Sequence, residues 1–212
     1  FTGLDGLPKG LLLWRGILQW LGGIGIIVVA MVFLPELRVG GMQIFRSEAF
    51  ETMGKILPRA TQIASQISGI YIAITLTCAL VYLILGMNVF DATVHALTTV
   101  STGGFANYDS SFGGFVGAKE YAASFFMILA ALPFVRYVQM INGNTTAIWR
   151  DTQVHAFLGT IAVIVGVSAF TLTYIFPHSV ERAVREALFN VVSVMSGTGF
   201  SSVDYMAWGP FL

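Results

Sequence analysis

"SVMSGTGFSS" (residues 193–202) follows the apolar run "ALFNVV", and a near copy, "TTVSTGGFAN" (98–107), lies 95 positions earlier. Each sets glycines and hydroxyl side chains where an oily chain should either leave a membrane or keep crossing it. Non-helical backbone at membrane depth exposes N–H and C=O groups that are costly in hydrocarbon unless protein or water meets them. Such a stretch must line a cavity or be buried in protein, so its recurrence decides the fold.

The repeat extends outward from these turns. "DATVHALTTVSTGGFANYD" (91–109) lies over "EALFNVVSVMSGTGFSSVD" (186–204) without a gap. Asp91 faces Glu186, and Ala92, Ser101, Gly104, Phe105 and Asp109 recur as Ala187, Ser196, Gly199, Phe200 and Asp204. The apolar runs 91–100 and 186–195 are too short to span a bilayer and suit re-entrant half-helices. Segments 11–34, 63–86, 121–141 and 156–176 have the length and apolarity of a crossing, and a fifth is expected to start near Met206. The repeating unit is therefore helix, half-helix, polar glycine turn, helix. "GLDGLPKG" (3–10) reads as the tail of a preceding unit, with Asp5 in the place of Asp109 and Asp204. The expected boundaries are 1–34 for the end of a first unit, 62–142 for a second and 156–212 for most of a third, with cytoplasmic connections at 35–61 and 143–155. Both ends look cut, so the sequence is expected to be an internal piece of a longer protein.

Composition agrees with an integral membrane protein. The chain is 56% hydrophobic and only 10% charged, against about a quarter charged for a soluble domain. Eleven basic residues balance eleven acidic ones, which leaves no field to attract nucleic acid. The single cysteine, Cys78, excludes an intrachain disulfide and reads as a buried hydrophobe. Arg38, Arg46, Lys55 and Arg59 place connection 35–61 on the cytoplasmic side if the glycine turns face outward. Trp14, Trp20, Tyr82, Tyr137, Trp149 and Tyr174 sit near segment ends, as interface anchors do.

An ion gives the turns a purpose. Successive backbone carbonyls aimed at one axis replace the hydration shell of a monovalent cation, and glycine reaches the conformations that aim them. Each half-helix also points its negative C-terminal pole at the membrane centre. The candidate ion-binding residues are Thr102, Gly103, Gly104, Phe105 and Ala106 in one turn, and Gly197, Thr198, Gly199, Phe200 and Ser201 in the other. Backbone carbonyls of Thr102, Gly103, Gly197 and Thr198 are the expected ligands. Hydroxyls of Ser101, Thr102, Ser196 and Thr198 either add ligands or hold the loop, while Asp109 and Asp204 either concentrate cations or, as favoured here, accept hydrogen bonds from loop amides.

These residues resemble the superfamily of Trk, Ktr and HKT potassium transporters, and most the TrkH type of bacterial membrane subunit. "STGGFANYD", "SGTGFSSVD" and "RGILQWLGGIGIIVVAMVFLPEL" (15–37) carry the resemblance, which covers essentially the whole chain. It implies an all-α membrane fold of four pseudo-symmetric helix, pore-loop, helix units around one K⁺ path in the bacterial inner membrane. It also implies a homodimer and a cytoplasmic nucleotide-binding regulatory subunit, with no cofactor. By the same resemblance the first filter precedes Phe1, the fourth follows Leu212, and the gating loop of the third unit lies beyond the sequence.

Other features have ordinary readings. "GGIGII" (22–27) lacks the third glycine of a dinucleotide fingerprint and lies in a crossing segment, where Gly16, Gly22, Gly23 and Gly25 suit close helix packing. Arg15 and Gln19, one turn apart, are expected to brace a pore loop through hydrogen bonds rather than snorkel. Arg136 is expected to snorkel, and His95 to be packed or hydrogen-bonded. The histidines and the cysteine show no metal-ligand spacing. Two other functions compete with the pore: a secondary carrier with broken helices, coupled to H⁺ or Na⁺, and, remotely, an intramembrane serine hydrolase using "GFSS" (199–202) with His178. The missing G-x-S-x-G turn argues against the hydrolase.

Overall fold

The structure, a computed structural model, describes residues 2–33, 60–174 and 179–208. Among these, the seven α-helices are α1 (Lys9–Phe33), α2 (Ala60–Ile84), α3 (Val89–Val100), α4 (Ala118–Ala131), α5 (Phe134–Ile141), α6 (Thr152–Tyr174) and α7 (Val180–Met195). Single 3₁₀ turns stand at Leu4–Gly6 and Tyr205–Trp208. The described part of the chain is all-helical, as the sequence requires. Most of connection 35–61, His178 and whatever follows Trp208 lie outside the described residues.

Helices α2, over Ala64–Ile84, and α6 are long and apolar enough to cross a membrane. Helix α1 runs unbroken for 25 residues, so "GGIGII" sits within a helix and binds no dinucleotide in the expected strand-to-helix manner. Of its glycines, Gly16 and Gly23 make the close approaches: an added Cβ would come within 3.1 Å of Val94 and 2.9 Å of the Tyr71 hydroxyl. At Gly22 and Gly25 it would meet no atom within 4 Å, so the packing role expected of those two is absent among the described residues.

Segment 121–141 is not one continuous helix. Helices α4 and α5 form a pair bent by 84° at Leu132 and Pro133. Pro133 has no N–H for the Leu129 carbonyl one turn back, and Leu132 turns extended before it. The Tyr137 hydroxyl donates to that carbonyl instead, at 2.7 Å. This bond accounts for Tyr137, and Tyr82 and Trp20 are likewise engaged inside the protein, through Thr99 and Thr75 respectively. Only Trp14, Trp149 and Tyr174 of the expected interface anchors are exposed.

Beyond the bend, Arg136 is paired rather than snorkelling. Its Nε donates to Asp151 at 2.6 Å and its Nη1 to Gln139 at 3.0 Å. Asp151 also accepts the Gln153 amide at the start of α6, which makes it a cap for that helix. Burial pushes the Asp151 carboxyl upward, but the hydrogen bonds from Arg136 and the Gln153 amide outweigh it and hold the group below its ordinary value. A depressed folded-state pKa stabilises the fold above the ordinary carboxylate range and stops doing so as pH falls through the lowered value. Asp151→Asn should therefore lower the melting temperature in detergent at pH 7, and the deficit should shrink below about pH 4. A deficit independent of pH would show that the charge is not what stabilises this corner.

Helix α7 is longer than the ten residues its apolar run suggested. Ser179 accepts the Arg182 amide as N-cap, and the pairs Arg182–Glu186 and Arg185–Glu181, each one turn apart, carry the helix through its charged first half. Helix α3 begins similarly, on Asn88, which accepts the Asp91 amide.

Packing repeats as the sequence does. Helix α3 lies against α2 before it and against α1, while α7 lies against α6 before it and against α4. Each short helix is thus held by the long helix of its own copy of the repeat and by a helix of the preceding one that follows its turn. A continuous core, including Tyr71, Tyr82, Phe112, Phe126, Phe189 and Phe200, joins the two copies.

Candidate functional site

Both short helices end in the same way. The C-terminal carbonyls of a helix need partners: the amides of Ser101 and Ser196 donate to Leu97 and Val192, and those of Gly104 and Gly199 reach back to Thr98 and Ser193, each at 3.2 Å. The backbone then takes left-handed steps at Thr102 and Gly104 (φ 49° and 62°) and at the matching Gly197 and Gly199 (φ 76° and 83°). No helix continues through 101–106 or 196–201. Thr102 does without glycine what Gly197 does with it.

Hydroxyls from the short helices fix where each turn leaves. Thr98 Oγ1 donates to the Phe105 carbonyl at 2.9 Å, and Ser193 Oγ donates to the Phe200 carbonyl at 2.7 Å. These two residues were missed in the sequence, although Thr98 stands over Ser193 in the repeat and both carry a hydroxyl. The Ser201 carbonyl is also occupied, by the Phe112 amide at 2.9 Å. Carbonyls of Thr102, Gly103, Gly197 and Thr198 accept no hydrogen bond among the described residues. Of the ten candidate residues, Phe105, Phe200 and Ser201 have carbonyls committed inside the protein; the four expected as ligands do not, and neither do Gly104, Ala106 and Gly199 among the described residues.

The two turns touch. An added Cβ on Gly104 would lie 2.0 Å from the Thr198 carbonyl oxygen, so these backbones are in direct contact. Gly103 lies against Gln19, whose side chain would be 2.1 Å from an added Cβ, and the Arg15 guanidinium sits 5.1 Å from the Phe105 ring. Helix α1 thus lays Gln19 and Arg15 against the first turn, by close packing on Gly103 and a cation–ring contact with Phe105. Ala106 is buried and Phe105 partly exposed, while Phe200 is 1% exposed.

Side-chain oxygens mostly hold the loops. Ser101 Oγ bonds the Thr98 carbonyl, and Ser196 Oγ bonds both the Ser193 carbonyl and Thr198 Oγ1. Asp109 accepts the amides of Gly3 and Leu4 at 3.0 and 2.8 Å, while its own amide donates to Asp5. It ties the turn to the loop that precedes α1, as an acceptor of amides. Asp204 accepts the Met206 amide. Buried Asp91 accepts from Asn88, Asn107 and Tyr108, which closes the loop back onto the start of α3. In the second copy Asn190 does this, holding Ser202 through both its amide and its hydroxyl. His95 is fully buried, with Nδ1 against the Asp91 carbonyl and its ring edge-on to Phe112 and Phe115. Cys78 is buried, and no cluster of three metal-ligating side chains occurs among the described residues.

Paired glycine turns at the ends of buried short helices match a known group along their whole length: residues 1–212 fit the family described as TrkH, cation transport protein. The chain belongs to the TrkH family. Among its relatives, the Trk system potassium uptake protein TrkI of Halomonas elongata is 42% identical over 97% of this chain and 42% of that protein. The Trk system potassium uptake protein TrkH of Escherichia coli is 33% identical over 100% of this chain and 45% of its own length. The crystal structure of the potassium transporter TrkH from Vibrio parahaemolyticus superposes with a TM-score of 0.84 at 31% identity, covering 99% of this chain and 43% of that one. The chain spans less than half the length of these relatives. The family is described as one of cation transport proteins, and membership in it favours transport over the serine-hydrolase reading.

Proposed function

We propose that this TrkH-family chain forms part of a K⁺ uptake path in a bacterial inner membrane, with turns 102–106 and 197–201 as two walls of a backbone-carbonyl filter. The observation that carries this is the division of labour within each turn. Among the described residues, the Phe105, Phe200 and Ser201 carbonyls are bound by the protein, whereas those of Thr102, Gly103, Gly197 and Thr198 accept no hydrogen bond, just past the negative end of a short helix. Unpaired carbonyls at that depth are costly, and a dehydrated K⁺ offsets the cost. The hydroxyls of Ser101, Ser196 and Thr198 are occupied in holding the loops, which leaves main-chain oxygens as the principal ligands of this reading. Two turns do not encircle an ion, and the rest of the ring comes from further units of the kind the family resemblance implies. Homodimer formation and a cytoplasmic nucleotide-binding regulatory subunit belong to the same proposal and rest on family membership alone.

The test is flux through the full-length protein in liposomes under a K⁺ gradient, with Na⁺ as the competing ion. Currents or uptake that favour K⁺ and need no opposing H⁺ or Na⁺ gradient are expected. Strict stoichiometric coupling to either ion would replace the pore with a carrier.

A further inference from the structure

We infer that Ser111, in the loop after the first turn, is a specificity-determining positioning residue for the second. The inference rests on the filter reading above. Ser111 Oγ accepts the Ser201 amide at 3.1 Å, and the next residue, Phe112, donates its amide to the Ser201 carbonyl at 2.9 Å. Two consecutive residues of one copy of the repeat therefore occupy both main-chain polar groups of a turn residue in the other. The fit around this clasp is close: an added Cβ on Gly113 would lie 3.2 Å from the Ser202 carbonyl oxygen.

Ser111 stands in the left-handed region, with φ 55°. Thr102 is the other non-glycine residue with positive φ among the described residues, and it lies in the first turn itself. Glycine would adopt this backbone without strain, so serine brings a conformational cost, and its hydroxyl is what glycine lacks. Phe112 anchors the clasp. Its ring is fully buried, 4.9 Å from that of Phe189 on α7 and 5.3 Å from that of Phe200 in the second turn. With the Phe200 carbonyl held by Ser193 and Ser201 held from across the seam, the far end of the second turn cannot rotate, and the carbonyls at Gly197 and Thr198 inherit its direction.

The clasp is specific to this seam. Aligning Asp5 with Asp109 sets Leu7 and Pro8 where Ser111 and Phe112 stand. Leucine has no hydroxyl and proline no amide hydrogen, so the loop that precedes α1 cannot form it. That junction uses Asp109 and Asp5 instead. The second turn therefore depends on a neutral serine where the first depends on carboxylates.

Ser111→Gly separates the role from simple folding, because it removes the acceptor while relieving the backbone. In the full-length protein in liposomes, thermal stability should be unchanged or higher, while discrimination of K⁺ over Na⁺ falls by about three- to tenfold, the worth of one hydrogen bond. Ser111→Ala should lose discrimination equally without the gain in stability. Discrimination within about twofold of wild type in both folded variants would overturn the inference, since that is less than one hydrogen bond is worth. Gly104→Ser, measured beside them, tells the two ideas apart. If it abolishes discrimination while both Ser111 variants keep it, the filter reading stands and the clasp is wrong; if all three keep it, the filter reading itself has failed.

Discussion

Replacing Gly104 with serine is expected to damage ion discrimination far more than the same change at Gly199, although the two glycines are equivalent in the repeat. Both have positive φ, 62° and 83°, which costs an L-residue about 1–2 kcal/mol. Space makes the difference. A Cβ on Gly104 would lie 2.0 Å from the Thr198 carbonyl oxygen and 2.9 Å from its carbon, and both are main-chain atoms that cannot swing aside. At Gly199 a Cβ meets no described atom within 4 Å. Forcing the extra volume in at Gly104 adds about 1–3 kcal/mol and moves one of the carbonyls proposed to hold the ion. The measurement is the ratio of K⁺ to Na⁺ flux in liposomes. Gly104→Ser should lower it by about tenfold or more, the equivalent of 1.4 kcal/mol, with membrane insertion retained, and Gly199→Ser by clearly less. Equal losses would mean that the contact between the turns does not set their geometry.

The second large effect is expected at the seam between α4 and α7. Arg185 pairs with Glu120 in the first turn of α4 and with Glu181 on its own helix, and the Glu120 side chain is only 1% exposed. Arg185→Met leaves that carboxylate buried without its cation, which should cost about 3–5 kcal/mol. Burying two charges is itself expensive, so removing both should cost much less than removing one. Glu120 also accepts the Gly117 amide at the start of α4, and glutamine preserves an acceptor there. The double variant Arg185→Met/Glu120→Gln should therefore recover more than half of the lost stability. Thermal unfolding in detergent decides this, and single and double variants of equal stability would show that the pair is not coupled.

How much of this was legible in the sequence depends on which physical signal each feature carries. The repeat, the two short helices and the glycine turns were legible because each interrupts an otherwise apolar pattern, and interruptions at membrane depth have few explanations. The bend at Pro133 was not inferred, because "AALPFVRY" (130–137) stays apolar and hydropathy is blind to a missing amide hydrogen. The charged half of α7 was omitted for the opposite reason. Its residues look unlike membrane sequence, yet their ion pairs, one turn apart, are what support the helix. Within the candidate site, Arg15 and Gln19 were found because polar groups in a crossing segment demand partners. Thr98 and Ser193 escaped because a hydroxyl inside a helix ordinarily bonds its own backbone, as Thr98 also does with the Val94 carbonyl. Contacts between the two copies, such as Ser111 with Ser201, lie 90 positions apart and leave no local trace.

The placement of the short helices bears on how the polypeptide is made. Helix α3 has twelve residues, about 18 Å at the ordinary rise, too few to settle alone in lipid. Yet α1 and α2, which flank it, are both translated earlier, and so are α4 and α6, which flank α7. Each short segment leaving the ribosome thus meets two helices already made, and for α3 only the contact with α4 is added later. Biogenesis can proceed vectorially, with no need to hold a half-inserted hairpin open until the C-terminus arrives.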